Sequence, residues 1–389
     1  MKKVFMDHSS TSKVDDKVVE AMLPYFSKYF GNPSSIHTYG IEANQAVEKA
    51  RKQVADLLNA NEEEIIFTAG GTEADNIAIK GVAYNNKDKI GTKGPHIITS
   101  KIEHPAVIQT CEFLEKEGFE VKYLSVDKYG IVDLNELKKS ICKNTFLISI
   151  MFANNEVGTI EPMEEIGKIA KENKILFHTD AVQAVAKTPI DVKKLNIDLL
   201  ALSSHKMYGP KGIGALYIRK GVKLQPIIHG GGHEKGLRSS TLNVPGIVGL
   251  GKACELANDR MQKDLKKMKN LRDKLIKNVL KIEESHLNGH PEKRLVNNAH
   301  FRFTGIEGEA LLLAMDSKGV ATSTGSACSS KKMQVSHVLT AIGLDAEHSQ
   351  GSIRLSIGRD TTDDDIMYVY DSLCKVVENL RKMSPLWNK

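Results

Sequence analysis

Through residue 212 the chain alternates short apolar runs with longer stretches in which apolar residues recur every three or four positions. Ala43, Ala46, Val47, Ala50, Val54 and Leu57 lie on one stripe and predict a helix over 40–58. A strand over 64–68 passes through Ala69-Gly70-Gly71-Thr72 into a predicted helix over 73–82. Further strands are predicted at 97–100, 121–124, 145–152 and 175–178, and another, from residue 199, leads into Lys206. Helical patterns at 134–141 and 163–172 separate them, and Pro105 suits the first turn of another helix. Upstream lie a short strand at 4–5, a polar loop at 7–12, a helix over 14–29 and a hydrogen-bond-rich loop at 31–37. Strands separated by helices in this way predict a mostly parallel sheet covered on both faces, an α/β architecture.

The pattern changes near Pro245. Leu256, Met261, Leu265, Met268, Leu271, Leu275, Val279 and Ile282 step by three to five through a charged background, which predicts one long amphipathic helix. A smaller α+β unit follows, with strands at 300–303, 320–322 and 353–357 and helices at 308–316, 338–342 and 363–382. The expected division is a large domain over 15–258 and a small domain made of 1–14 and 259–389.

Composition narrows the class. With 389 residues, the chain is long enough for two domains of roughly 150 residues or more. A net charge of +6, with dispersed lysines, gives no sign of nucleic-acid binding. Met1-Lys2-Lys3-Val4-Phe5-Met6-Asp7 turns polar almost at once and lacks a signal-peptide core, and no apolar run approaches a membrane span. Cys111, Cys142, Cys254, Cys328 and Cys374 are odd in number and scattered. No disulfide framework or metal site is expected, and the predicted compartment is the reducing cytoplasm. Four of the cysteines read as small buried hydrophobes; Cys328, in a polar stretch, does not.

The candidate chemistry gathers at predicted strand ends. Leu199-Leu200-Ala201-Leu202 stops in Ser203-Ser204-His205-Lys206, followed by Gly209-Pro210. An amine able to form a Schiff base, beside hydroxyl and imidazole donors for a phosphate, suits pyridoxal 5′-phosphate chemistry. Gly70-Gly71-Thr72 at a helix start offers amides to an anion, although a tight connection without ligand reads the same way. Asp180 is the candidate partner for a pyridine nitrogen, with a helix cap as its ordinary reading. Gln183 and Asn155 are candidates for the ring oxygen, and His104 for stacking and proton transfer. Cys328, in Gly325-Ser326-Ala327-Cys328 with lysines nearby, is either a reactive thiolate or an incidental surface cysteine. Arg354, in Ser352-Ile353-Arg354-Leu355-Ser356, needs an anion, either a substrate carboxylate or an internal one. The loop from Gly230 through Thr241 is long and aperiodic, as functional loops are.

Together these stretches resemble the cysteine desulfurases, the IscS/NifS group of the class V aminotransferase-like, fold-type I pyridoxal phosphate enzymes. The motifs carrying the resemblance include Gly31-Asn32-Pro33-Ser34-Ser35, Gly71-Thr72-Glu73, Glu103-His104-Pro105 and Asn154-Asn155-Glu156. They continue through His178-Thr179-Asp180, Ser204-His205-Lys206, Gly230-Gly231-Gly232, Gly325-Ser326-Ala327-Cys328 and Ser336-His337-Val338-Leu339. The resemblance implies that Lys206 carries the cofactor and removes the substrate Cα proton, that Asp180 pairs with the ring nitrogen, and that His104 stacks on the ring. It places Asn155 and Gln183 beside the phenolic oxygen, and Gly71, Thr72, Ser203 and His205 around the phosphate. Thr241 would reach the phosphate of the other subunit of a homodimer, and Arg354 with Asn155 would hold the carboxylate of L-cysteine. Cys328 would attack the substrate sulfur, leaving alanine and a persulfide destined for an iron–sulfur scaffold or another acceptor protein.

The chain departs from the family pattern at His8-Ser9-Ser10, at Ser240 and in the basic Lys331-Lys332 segment. A selenocysteine lyase on the same scaffold, and a catalytically silent scaffold, are the alternative readings; intact Lys206, Asp180, His104 and Cys328 weigh against the second.

Overall fold

The structure, a computed structural model, describes residues 2–87, 95–324, 336–385 and 387. Cys328 lies outside the described residues.

The chain opens with β1 (Val4–Phe5), α1 (Asp16–Met22), α2 (Pro24–Ser27) and α3 (Thr38–Leu58). The helix expected over 14–29 is therefore split, because Pro24 has no amide to donate back to the preceding turn. The central sheet comprises β2 (Ile65–Thr68), β3 (His96–Ser100), β4 (Glu120–Leu124), β5 (Thr145–Ser149), β6 (Leu176–Asp180), β7 (Leu199–Ser203) and β8 (Gly214–Ile218). Their order is β2-β8-β7-β6-β5-β3-β4. β8, which the periodicity did not predict, runs antiparallel to both β2 and β7; the other pairs are parallel. α4 (Gly71–Asn86), α5 (Pro105–Lys116), α6 (Leu134–Ser140) and α7 (Met163–Glu172) connect these strands.

α8 (Val244–Val279) joins two apolar cores. It starts earlier than expected, with Asn243 accepting from the Gly246 amide and Pro245 in the first turn. Ile247, Leu250 and Cys254 pack in the core of the central sheet with Phe67, Phe177 and Leu202. Met268, Leu271, Leu275 and Val279 belong to the second core, with Phe301, Leu355 and Ile366. That core is built on β9 (Ser285–Asn288), β10 (Asn298–Phe303), α9 (Gly308–Asp316), β11 (Val320–Ala321), β12 (Ser352–Ser356) and α12 (Asp363–Met383), while α10 (His337–Ala341) packs on Ile102, Met151 and Val157 and α11 (Ala346–Gln350) leads into β12. β12, β10 and β9 form an antiparallel sheet, and β11 pairs with β1, which brings Val4 and Met6 into this core.

Cys111 and Cys254 are buried, as expected of small hydrophobes, but Cys142 is exposed and Cys374 half-buried. Cys142 sits in the turn before β5, where its Sγ lies 3.6 Å from His96 Nδ1. Among the described residues no helix is long and apolar enough to cross a membrane.

Candidate active site

In the central sheet every strand except β8 points the same way, so their carboxyl ends share one edge. The strand order reverses between β3 and β5, which opens a crevice there. The sequence-predicted residues fall at these ends: His104 after β3, Asn155 after β5, Asp180 at the end of β6, and Ser203 at the end of β7 just ahead of Lys206.

Lys206 is tied to the N-terminal loop. Its Nζ donates to the carbonyls of Ser9 at 2.6 Å and Ser10 at 2.8 Å. Gln183 Nε2 donates to the same Ser9 carbonyl at 2.9 Å, and Ser9 N–H donates to Ser356 Oγ at 2.8 Å. The loop is seated by His8, whose ring packs so closely on Gly358 that a Cβ there would fall 2.2 Å from Cε1. Thus the His8-Ser9-Ser10 stretch that departs from the family pattern is the meeting point of Lys206, Gln183 and the small antiparallel sheet.

A cleft of about 730 Å³ opens over the amino end of α4, lined by Gly70, Gly71, Thr72, Ser203, His205 and Ser10 among others. Amides in the first turn of a helix have no intrahelical acceptors, and the helix dipole favours an anion there. Gly71 has no room for a side chain: a Cβ would lie 2.5 Å from Val182 Cγ2, immediately beyond Asp180. His205 Nδ1 lies 3.2 Å from Thr11 Oγ1, and burial, helped by Lys206, Lys211 and Lys187, lowers its pKa to about 4. The imidazole is therefore neutral near pH 7. Thr241 is exposed, outside this cleft of its own chain.

Acidic groups dominate beneath the crevice. Asp180 is buried, and Oδ1 accepts the Val182 amide at 2.8 Å. Burial raises its pKa, opposed by His104, the Val182 amide and Lys206. No cation lies within ion-pair distance of it among the described residues. Such a carboxylate is best completed by a positive group on the ligand. His104 caps α5: Nδ1 accepts the Ala106 amide at 3.1 Å, which leaves the proton of the neutral ring on Nε2. Burial lowers the His104 pKa, with Asp180 acting against it.

Sequence reasoning missed the groups below Asp180. His178 and Asp180 are two apart on β6 and so share a sheet face. His178 Nε2 faces Asp75 Oδ1 of α4 at 3.4 Å, and Nδ1 lies 2.8 Å from Ser149 Oγ. Burial, then Asp180 and Glu103, push the Asp75 pKa well up. Glu103 Oε1 accepts from Ser100 Oγ and the Met151 amide, while burial raises its pKa to about 8. A carboxyl in the Glu103-His104-Pro105 motif was visible in the sequence; that it would be wholly buried was not.

Arg354 stands in the middle of β12, 2% exposed. It donates to Asp7 Oδ1 at 2.9 Å, Ser10 Oγ at 2.8 Å and the Asn155 carbonyl at 2.8 Å. The described residues flanking the Cys328 stretch are fixed beside it. Ser323 pairs with Arg354 through the backbone, and Ser336 Oγ donates to buried Glu156 at 2.5 Å. His337 Nε2 meets the Glu103 carbonyl at 2.9 Å.

The family model for class-V aminotransferases matches residues 4–369. A protein of Methanosarcina thermophila named cysteine desulfurase IscS is 58% identical, over all of this chain and 95% of the relative. The chain belongs to the class-V aminotransferases, among the cysteine desulfurases. A solved NifS-like protein superposes with a TM-score of 0.91 at 41% identity, covering 97% of this chain and all of that one. A structure described as SspA in complex with cysteine gives a TM-score of 0.81 at 38% identity, over 92% of this chain and all of the other. As a cysteine desulfurase of the fold-type I class, the chain uses pyridoxal 5′-phosphate.

Proposed function

We propose that the chain converts L-cysteine to L-alanine and holds the released sulfur as a persulfide on Cys328 for transfer to an acceptor protein. What carries this reading is the common edge on which Lys206, Asp180 and His104 meet, with Arg354 of β12 bonded to the Asn155 carbonyl beside it, in a chain of this family.

The residues fit the cofactor on their own chemistry. Asp180 offers a buried carboxylate in want of a cation, suited to a protonated ring nitrogen. Gly71, Thr72, Ser203 and His205 offer amide, hydroxyl and imidazole donors around the α4 amino end, suited to the phosphate. Gln183 and Asn155 take the phenolic oxygen side, and His104 the ring face. When bound, pyridoxal phosphate supplies an electron sink for the pair left on the substrate carbon.

Arg354 receives the substrate carboxylate, with Asn155 beside it, and its contacts to Asp7 and Ser10 aim the guanidinium. Lys206, held over the Ser9 and Ser10 carbonyls, takes the Cα proton. The Cys328 thiolate attacks the substrate sulfur: the S–S bond forms as the C–S bond breaks, and protonation of the three-carbon fragment yields alanine.

The homodimer belongs to the same proposal. Phe30 and Ile36, 66% and 95% exposed, and the half-exposed Tyr39 give the α2–α3 region an apolar surface suited to a second copy. Thr241, exposed and outside its own cleft, then serves the partner's phosphate. The division into 15–258 and 1–14 with 259–389 is likewise proposed, and the two apolar cores support it. An iron–sulfur scaffold in the cytoplasm is the proposed acceptor, in keeping with the IscS names of the relatives.

Cys328→Ala tests the assignment. The variant should keep the visible cofactor band and lose at least about a hundredfold in alanine formation; wild-type turnover would remove Cys328 from the reaction.

A further inference from the structure

One buried ionisable side chain close to Lys206 is unused by this mechanism. Lys187 is 6% exposed, yet among the described residues no carboxylate lies within ion-pair distance of it. Among the described residues its side chain has one hydrogen bond, from Nζ to the Gln183 carbonyl at 3.2 Å. An unpaired buried ammonium is costly, and a packing role would be met by an aliphatic side chain.

Its position connects it to Lys206. Lys187 holds the backbone of Gln183; Gln183 Nε2 donates to the Ser9 carbonyl; and Lys206 Nζ donates to that same oxygen. Both lysines also line one narrow cavity of about 30 Å³, shared with His8, Asn297, Tyr208 and Arg359. The cavity wall is mostly apolar, with Val18, Met207, Leu256 and Ile357 in it, and His8 Nδ1 and both amide atoms of Asn297 have no hydrogen-bond partner among the described residues.

We propose that Lys187 is a positioning residue for Lys206, a second amine that opposes protonation of the first and keeps it available as the base for the substrate Cα proton. The proposal rests on the reading of Lys206 as the cofactor-bearing lysine. A free lysine side chain holds its proton to about pH 10.4, whereas a proton-abstracting amine must be uncharged at working pH. A neighbouring cation and a dry site are the two physical means of achieving this.

Of the other ionisable groups around the pair, most are neutral or already paired. Burial lowers the Lys187 pKa to about 7, with Lys206 and Arg354 acting in the same direction, so its charge opposes protonation of Lys206 on the acid side of pH 7. His8 and His205, with pKa values lowered to about 4, are neutral. Asp15 is engaged by Arg359 and Arg260, and Asp7 by Arg354. Asp264 lines the same cavity, and Asp180 acts on Lys206 from the ring side. The coupling is mutual, so removing one charge releases the other's proton affinity.

The test uses holoenzyme. Borohydride reduction and peptide mapping first establish whether the cofactor sits on Lys206; attachment elsewhere would overturn the parent reading and this one together. With Lys206 confirmed, the pH midpoints of the visible cofactor band and of alanine formation are compared in wild type, K187M and K187R. K187M should raise both by about one pH unit. K187R, charged at every pH, should hold them or lower them. K187Q, neutral and still able to meet the Gln183 carbonyl, should follow K187M and replaces it if the methionine variant fails to load cofactor. Unchanged midpoints in the neutral variants, or an equal rise in K187R, would show that Lys187 only packs.

Discussion

Arg354 and Asp7 are 347 residues apart in sequence, yet the guanidinium donates to the carboxylate at 2.9 Å. The pair links the middle of β12 to the loop that receives Lys206, so the group proposed for the substrate carboxylate is already held in place by its own chain. Arg354→Lys keeps the charge and loses the planar fork. The Michaelis constant for L-cysteine should rise about tenfold or more, roughly 1.4 kcal/mol, with the cofactor spectrum unchanged. An unchanged Michaelis constant would leave Arg354 as a purely internal ion pair.

Gly71, at the rim of the proposed phosphate cleft, meets Val182 with no space for a methyl group. Gly71→Ala should displace either the α4 amino end or the strand end carrying Asp180. Pyridoxal phosphate added to the apoprotein should then bind about tenfold or more weakly, read by fluorescence titration. Wild-type affinity would mean the cofactor does not depend on this contact.

Glu103 gives stability an alkaline dependence. Its pKa rises from 4.5 to about 8 on burial, so between these values the folded chain keeps a proton that the unfolded chain has lost. This contribution is whole below about pH 4.5 and disappears as pH rises through 8. Glu103→Gln preserves an acceptor for Ser100 and Met151 and removes the titration. The melting temperature of the variant relative to wild type should therefore climb from about pH 5 to about pH 8. A constant difference would contradict the buried acid. His178, lowered to about 3, has the opposite dependence, losing its contribution as pH falls below 6.5.

The apolar surface at α2 and α3 bears on assembly. Ile36→Asp with Phe30→Asp should give monomers by light scattering and, with Thr241 unable to reach a second site, weaker cofactor retention. Variants that remain dimeric and loaded would place the interface elsewhere.

Much of the site was legible because open α/β sheets put chemistry at strand ends, where an apolar run stops abruptly at Asp180 or at Ser203-Ser204-His205-Lys206. The helical periods of α3 and α12 were equally plain. What periodicity could not show was long-range. Ser9 and Ser10 read as a polar loop, and only the pairing of β1 with β11 and the packing of His8 on Gly358 carry them to Lys206. Asp75 sits inside a helical pattern, so its contact with His178 depends on how α4 lies over β6. β8 was hidden by its position in a parallel series, although Gly214-Ala215-Leu216-Tyr217-Ile218 is apolar throughout. The split at Pro24 was available from the sequence, since proline cannot extend a helix behind it.

The central claim is settled most directly by mixing the purified holoenzyme with L-cysteine in the absence of reductant, measuring alanine, and mapping the Cys328 peptide by mass spectrometry. One added sulfur on Cys328, formed together with alanine, is the predicted result. Alanine with an unmodified Cys328 would contradict it.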